Sequence, residues 1–279
     1  MYHQPTTVDE VLGLKHQLGA AASFLAGGTD LVVGVRKGRR EFGELIDLSR
    51  VDALAALERS GDTMRIGSMC RLATLERSGV DALAAACETV GGPQIRNLGT
   101  VGGQLGTASP AGDVSIALLA LDAEVELASA ETGTRSLPLA ELFVGPGRTV
   151  LAEHELITAV TIPTNRRSAF YKIGKRGAVA ISVVMAAASL GPEGELGIAL
   201  GCVAPTPLRA RKAEAHLQGG ELSDARIDEA AALAAGEVKP IDDHRGGADY
   251  RRAMAATITR RLLRQLCDLP STTSNEAPA

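Results

Sequence analysis

Residues 90–113, VGGPQIRNLGTVGGQLGTASPAGD, crowd glycine into a span whose middle resists reading as strand or helix. Glycine loses the most freedom on ordering, so such density is a poor basis for a packed element. A long passage without regular structure inside a compact domain is usually functional. Bare backbone lets a ligand approach closely, and successive N–H groups in glycine turns form an anion-binding nest. Asp113 stands where the next helix, DVSIALLAL, begins; it suits either a plain N-cap or a polar contact to a ligand.

A second bare turn lies in LAGGTDLVVGVRKG, residues 25–38. Phe24, Leu25 and Ala26 close an apolar strand, Gly27 and Gly28 follow, and after Thr29 and Asp30 a new apolar run opens at Leu31. The stretch is either a tight turn and nothing more, or backbone kept bare for a ligand. Turns near 27–31 and 99–113 together present two nests able to grip one diphosphate from two sides. Neither matches GxGxxG after a first strand or GxxxxGK[ST], which weighs against a Rossmann or P-loop site.

The rest of the chain divides by texture. Up to about residue 55 it reads helix, strand, turn, helix, strand, with Thr7 and Glu10 forming a capping-box signature before VDEVLGLKHQL and buried strands at ASFLAGG and GELIDLS. From 56 to about 165 strands alternate with helices: TMRIGSM, then a helix broken at Gly79, the glycine block, a short helix, and strands ending with ELITAVTIP at Pro163. From about 166 to 270 SAFYKIGKR, ISVVMAAASLG and LGIALGCVA read as three antiparallel strands, with GPEGE as a hairpin turn and Pro205 and Pro207 closing the sheet; helices follow. Residues 271–279 read as a disordered tail.

Composition excludes several classes. A net charge of −4 lacks the basic footprint of a nonspecific nucleic-acid binder. The cysteines at 70, 87, 202 and 267 have no metal or iron–sulfur spacing and suit a reducing compartment. Histidines at 3, 16, 154, 216 and 244 lack ligand spacing and read as surface residues. The N-terminus has no signal-peptide pattern, and AVAISVVMAAASL is too short to span a bilayer, so a cytoplasmic location is expected. Aromatics make up only 3% of the chain and Trp is absent, so a flavin-like ring would be held mostly by backbone and aliphatic contacts.

AGGTDLVVGVRKG, IRNLGTVGGQLGTASPAGDVSIALLALDAEVEL, ELITAVTIP and FYKIGKRGAVAISVV together resemble, in order and spacing, the FAD-binding (medium) subunits of molybdenum hydroxylases, the family of the carbon monoxide dehydrogenase medium subunit and the xanthine dehydrogenase FAD subunit. The resemblance runs over essentially the whole chain. It implies an α+β fold: two α/β subdomains of the vanillyl-alcohol-oxidase (PCMH) FAD-binding type at 1–55 and 56–165, then a C-terminal domain of a three-stranded antiparallel sheet plus helices. It implies FAD contacts at Phe24, Leu25, Ala26, Gly27, Gly28, Thr29, Asp30 and Leu31 in the first turn. In the second block it implies contacts at Thr100, Val101, Gly102, Gly103, Gln104, Ala108 and Ser109. The family usually has Asn where this chain has Gln104. Asp113 matches an acidic residue on the adenosine side of FAD, and Lys172 a basic residue near the isoalloxazine end. Val90 and Ile157 match apolar contacts. Val90 and Ile157 also read as plain core residues, and Lys172 as a surface lysine or, with Lys175 and Arg176, part of a face toward a partner.

The resemblance further implies a division of labour. A large partner subunit holds molybdopterin and a small one the 2Fe–2S clusters. This chain takes electrons onto FAD and passes them to NAD, a quinone, oxygen or a carrier. No catalytic acid or base is assigned. The alternatives are a stand-alone FAD-dependent oxidoreductase acting on a small molecule, and a non-enzymatic assembly or storage protein.

Overall fold

Thr7 caps the first helix as its sequence requires. Its side chain accepts the Glu10 N–H at 3.2 Å, and the Glu10 carboxylate accepts the Thr7 N–H at 3.4 Å. The computed structural model containing this helix describes residues 1–41 and 43–267. In chain order come β1 (Tyr2–His3), α1 (Val8–Leu18), β2 (Ala22–Leu25), α2 (Leu31–Arg36) and β3 (Glu44–Asp47). The strands form a parallel sheet in the order β1-β3-β2. Parallel neighbours need crossovers, and α1 and α2 fall on the connections. Val11 and Leu12 of α1 pack on Ile46 and Leu48.

Next are β4 (Leu57–Ser60), β5 (Thr63–Gly67), α3 (Leu72–Leu75), α4 (Asp81–Glu88), α5 (Pro93–Arg96), α6 (Val101–Thr107), α7 (Asp113–Ala120), β6 (Glu124–Ser129), β7 (Gly133–Pro138), β8 (Phe143–Gly145), β9 (Arg148–Thr149) and β10 (Leu156–Pro163). The break between α3 and α4 falls at Gly79, whose φ is +71°. An antiparallel sheet runs β4-β5-β10-β6-β7, with a register shift in β10 between Ile157 and Ala159. Its inner face, including Ile66, Val125 and Val160, packs with Leu83 and Ile116 of α4 and α7.

The glycine block corrects the expectation of a long loop. Much of it is helical, as α5 and α6. Pro93 starts α5 in the first turn, where its missing N–H costs nothing. Thr100 caps α6 by accepting the Gly103 N–H at 3.1 Å. The residues that bury themselves, Val101, Leu105 and Ala108, follow helical spacing. Core burial along one stripe outweighs the poor helix propensity of three glycines.

The remaining strands, β11 (Arg167–Gly174), β12 (Ser182–Leu190), β13 (Leu196–Gly201) and β14 (Leu208–Arg209), form a second antiparallel sheet in chain order. This makes four strands where three were expected. The prolines at 205 and 207 interrupt the ladder, but the chain returns to pair Leu208 with Leu200 and Arg209 with Ala199. Arg209 fixes that return: its guanidinium donates to the Leu119 carbonyl at 2.7 Å and pairs with Asp122 and Glu214. Then come α8 (Arg211–Leu217), α9 (Asp224–Glu237) and α10 (Ala248–Leu266), whose apolar faces cover this sheet. The expected disordered tail, 271–279, lies outside the described residues.

Every residue of α7 is buried, because the helix packs on β12 and β13 of the C-terminal sheet and on α4 and α6. On one side Gly197 of β13 packs so closely that a Cβ there would sit 1.9 Å from the Ala120 carbonyl oxygen, and Ser189 of β12 donates to that same oxygen at 2.6 Å. This helix therefore ties the C-terminal sheet to the region carrying both glycine stretches.

Candidate functional site

The two glycine stretches meet. A Cβ on Gly27 would lie 1.8 Å from the Leu98 carbonyl oxygen, so only glycine lets the first turn reach the backbone of the second block. Gly28 has φ +68°, a left-handed conformation that also calls for glycine. The segment after β5 clamps the second block: Ser68 and Cys70 carbonyls accept the N–H groups of Gly102 at 2.8 Å and Val101 at 3.1 Å, and Leu72 N–H donates to Gly99 at 2.9 Å. A Cβ on Gly102 would sit 2.6 Å from the Ser68 Cβ. Both glycines thus have packing reasons to be bare.

Beside this junction opens a cleft of about 750 Å³. Of the sequence-predicted residues, Phe24, Ala26, Gly27, Gly28, Thr29, Asp30, Leu31, Val90, Thr100, Gly102, Gly103, Gln104, Ser109 and Ile157 line it. The register shift in β10 falls beside Ile157. Five do not line it. Leu25 turns toward Gly28, and Val101 and Ala108 lie on the buried stripe of α6.

Asp113 and Lys172 form a cluster of their own. Neither lines the cleft, and they are in direct contact: Lys172 Nζ donates to Asp113 Oδ2 at 2.6 Å, and both side chains are buried. Ser182 and Thr89 hydroxyls donate to the same carboxylate at 2.9 and 3.2 Å. Burial pushes the Asp113 carboxyl above the ordinary carboxylate range, against the pull of the Lys172 ammonium. The cluster joins α7 to β11 and β12.

The two stretches contribute different groups to the cleft. Among the described residues none accepts a hydrogen bond from the N–H groups of Gly27, Gly28, Thr29 or Asp30. In the second block, by contrast, the N–H groups of Val101, Gly102, Gly103 and Gln104 are all engaged within the chain. The first turn is therefore the donor row, and the second a wall. In that wall Gly106 faces open space, with nothing within 4 Å of a Cβ built on it.

Residues without a sequence signal complete the cleft, among them Lys15, Ser68, Leu151, Glu153 and Glu155. Each lies far in sequence from both glycine motifs or outside their pattern, so no local spacing marks it. Lys15 is buried; its ammonium donates to the carbonyls of Gly19 at 2.8 Å and Ala22 at 2.7 Å and lies 5.6 Å from the centre of the Phe24 ring. Burial lowers its pKa, opposed by the nearby Glu153. Glu155 is held by Arg135 through bonds of 2.6 and 2.8 Å, which keeps its carboxyl below the ordinary range. Ser68 Oγ and Gln104 Oε1 are buried beside the cleft without a partner.

A donor row for an acceptor-only diphosphate, aliphatic walls at Val90, Leu151 and Ile157 for a planar ring, and orphaned polar atoms on the same cleft fit FAD. Residues 1–165 match the FAD binding domain in molybdopterin dehydrogenase, and residues 169–266 match the CO dehydrogenase flavoprotein C-terminal domain. The chain belongs to this family of FAD-binding flavoprotein subunits. Within it, the nicotinate dehydrogenase FAD-subunit of Eubacterium barkeri is 36% identical over 240 residues, covering 80% of each chain. The carbon monoxide dehydrogenase medium chain of Hydrogenophaga pseudoflava is 31% identical over 277 residues, covering 94% of this chain and 95% of that one. A solved carbon monoxide dehydrogenase chain from the same organism, in a form lacking the Mo-pyranopterin moiety, superposes with a TM-score of 0.89 at 32% identity and covers 96% of each chain. No helix among the described residues is long and apolar enough to cross a membrane.

Proposed function

We propose that this chain is the FAD-binding electron-transfer subunit of a molybdenum hydroxylase complex. It takes electrons from 2Fe–2S clusters in a small partner subunit and passes them to an external acceptor; a large partner subunit holds the molybdenum cofactor. The observation that carries the reading is the open N–H row of Gly27–Asp30 on the cleft, in a chain that matches the FAD-binding family over residues 1–165. Relatives named as medium chains and FAD-subunits support the partners.

FAD when bound supplies the redox chemistry, accepting and releasing electrons. The protein's own residues hold and orient it. The turn N–H groups would donate to the diphosphate, with Gly27 and Gly28 letting the turn adopt the shape that presents them. Val90, Leu151 and Ile157 of the cleft wall would flank the ring and exclude water from it. The subdomains 1–55 and 56–165 supply the two sides of the cleft, and 166–270 braces α7 through Asp113 and Lys172.

The test is a visible absorption spectrum of the purified chain after incubation with FAD and desalting. Retained bands of oxidised flavin, bleached by dithionite, are expected, followed by capture of iron–sulfur and molybdenum subunits from the native complex. A folded sample that retains no flavin in either the isolated chain or the assembled complex overturns the reading.

A further inference from the structure

We infer that Ser68 Oγ and Gln104 Oε1 hold hydroxyl groups of the bound dinucleotide, so that this cleft reads the sugar portions of its ligand as well as the phosphates. The inference rests on the FAD reading above and adds Ser68, which no motif marks. Ser68 is only 3% exposed, and its hydroxyl has no partner. A buried hydroxyl left unpaired is unfavourable. Ser115 and Thr259 also carry unpartnered buried hydroxyls, but neither lines the cleft; Ser68 and Gln104 do.

The chemistry of the two atoms selects the ligand group. A side-chain amide oxygen only accepts, and so do the oxygens of an ionised diphosphate. Gln104 Oε1 therefore cannot be satisfied by phosphate and needs a donor. Ser68 Oγ can donate or accept. The dinucleotide's donors next to its phosphates are the hydroxyls of the ribityl chain on one side and of the adenosine ribose on the other. The N–H row at 27–30 and the oxygens at 68 and 104 thus form complementary sets, one for acceptors and one for donors.

Ser68→Ala is a clean probe. It keeps the Cβ that packs on Gly102 and the main-chain bonds from Gly102 N–H to the Ser68 carbonyl and from Ser68 N–H to the Thr158 carbonyl. The full chain and its Ser68→Ala and Gln104→Leu variants are titrated with three ligands by flavin fluorescence. These are FAD, FAD built on 2′,3′-dideoxyadenosine, and FAD with a deoxygenated ribityl chain. Each variant is expected to bind FAD about tenfold more weakly, the loss of one net hydrogen bond, with the thermal midpoint of the ligand-free chain unchanged or higher. The penalty should vanish with one analogue, which names the sugar contacted. Wild-type affinity in both variants overturns the inference and leaves the FAD reading standing, as does a penalty that persists with both analogues. Failure of the wild-type chain to bind FAD, alone or in its complex, removes both.

Discussion

Lys172 and Asp113, 59 positions apart, close a buried ion pair of 2.6 Å between β11 and the first residue of α7. Lys172 also donates to the Thr89 carbonyl at 3.0 Å, so one ammonium binds α4's end, α7 and its own strand together. Removing one member leaves the other's charge buried without compensation, at a cost of about 3–5 kcal/mol, whereas replacing both with apolar residues is far milder. Asp113→Leu and Lys172→Met are each expected to destabilise the chain by that order, and the double variant by much less than their sum. Urea unfolding of the four proteins measures this; additivity within about 0.5 kcal/mol means the pair is not coupled.

The glycines of the cleft separate into two kinds, and substitution should tell them apart. Gly27→Ala drives a methyl into the Leu98 carbonyl at 1.8 Å, so the two glycine stretches must part. A loss of about 2 kcal/mol or more is expected, with flavin binding lost alongside. Gly106→Ala meets no atom and replaces the least favourable non-proline helix residue with the most favourable, a gain of up to about 1 kcal/mol. Gly106→Leu fills the cleft from the same face and should reduce retained flavin while the ligand-free chain stays folded. Melting curves and flavin occupancy, read together, check both; equal behaviour of Gly27→Ala and Gly106→Ala contradicts the distinction.

How far the sequence discloses this structure depends on how local each signal is. The Thr7–Glu10 capping box, the break at Gly79 and the turn carrying Gly194 at φ +88° between β12 and β13 are set by neighbours within a few residues, and all are readable. Helix α6 is not. Its glycines argue for a loop, and what makes it helical is the burial of Val101, Leu105 and Ala108 together with the clamp from residues 68–72, a tertiary effect. The first glycine turn is legible as a bare-backbone site, but its glycines are bare for two reasons at once: Gly27 for contact with Leu98 and Gly28 for its left-handed φ. Ser68 and Lys15 enter the cleft by folding alone. The contact between Asp113 and Lys172 spans too much chain for any spacing rule to announce.

Thiol chemistry offers a check on the packing. Burial pushes the Cys70 thiol up to about 11 and the Cys202 thiol up to about 12, and raises Cys87 as well. The thiolate is the reactive form, so at pH 8 these three should resist an aromatic disulfide reagent in the native chain and react once it is unfolded. At most the thiol of Cys267 is expected to label before unfolding. Rapid native modification of Cys70, Cys87 or Cys202, located by mass spectrometry, contradicts the buried positions.

Acid should weaken the loop before α10. The Asp243 carboxylate is bound by Arg245 at 2.6 Å and by Arg251, which is itself buried and donates to the Cys202 carbonyl at 2.8 Å. Hydrogen bonding from Arg245, then from Arg251, holds the Asp243 carboxyl well below the usual carboxylate range. A carboxyl depressed in the folded state binds its proton more readily in the unfolded chain. Its contribution to stability is therefore present above the ordinary value of 3.8 and is lost as pH falls through that value toward the folded one. Asp243→Asn lacks this dependence and leaves Arg251 without its anionic partner. The variant is expected to melt below wild type at pH 7, with the gap narrowing steadily between about pH 5 and pH 2 as the wild-type carboxylate takes up its proton. Paired melting curves across that range decide it: a gap that stays constant or widens on acidification rules out a depressed Asp243.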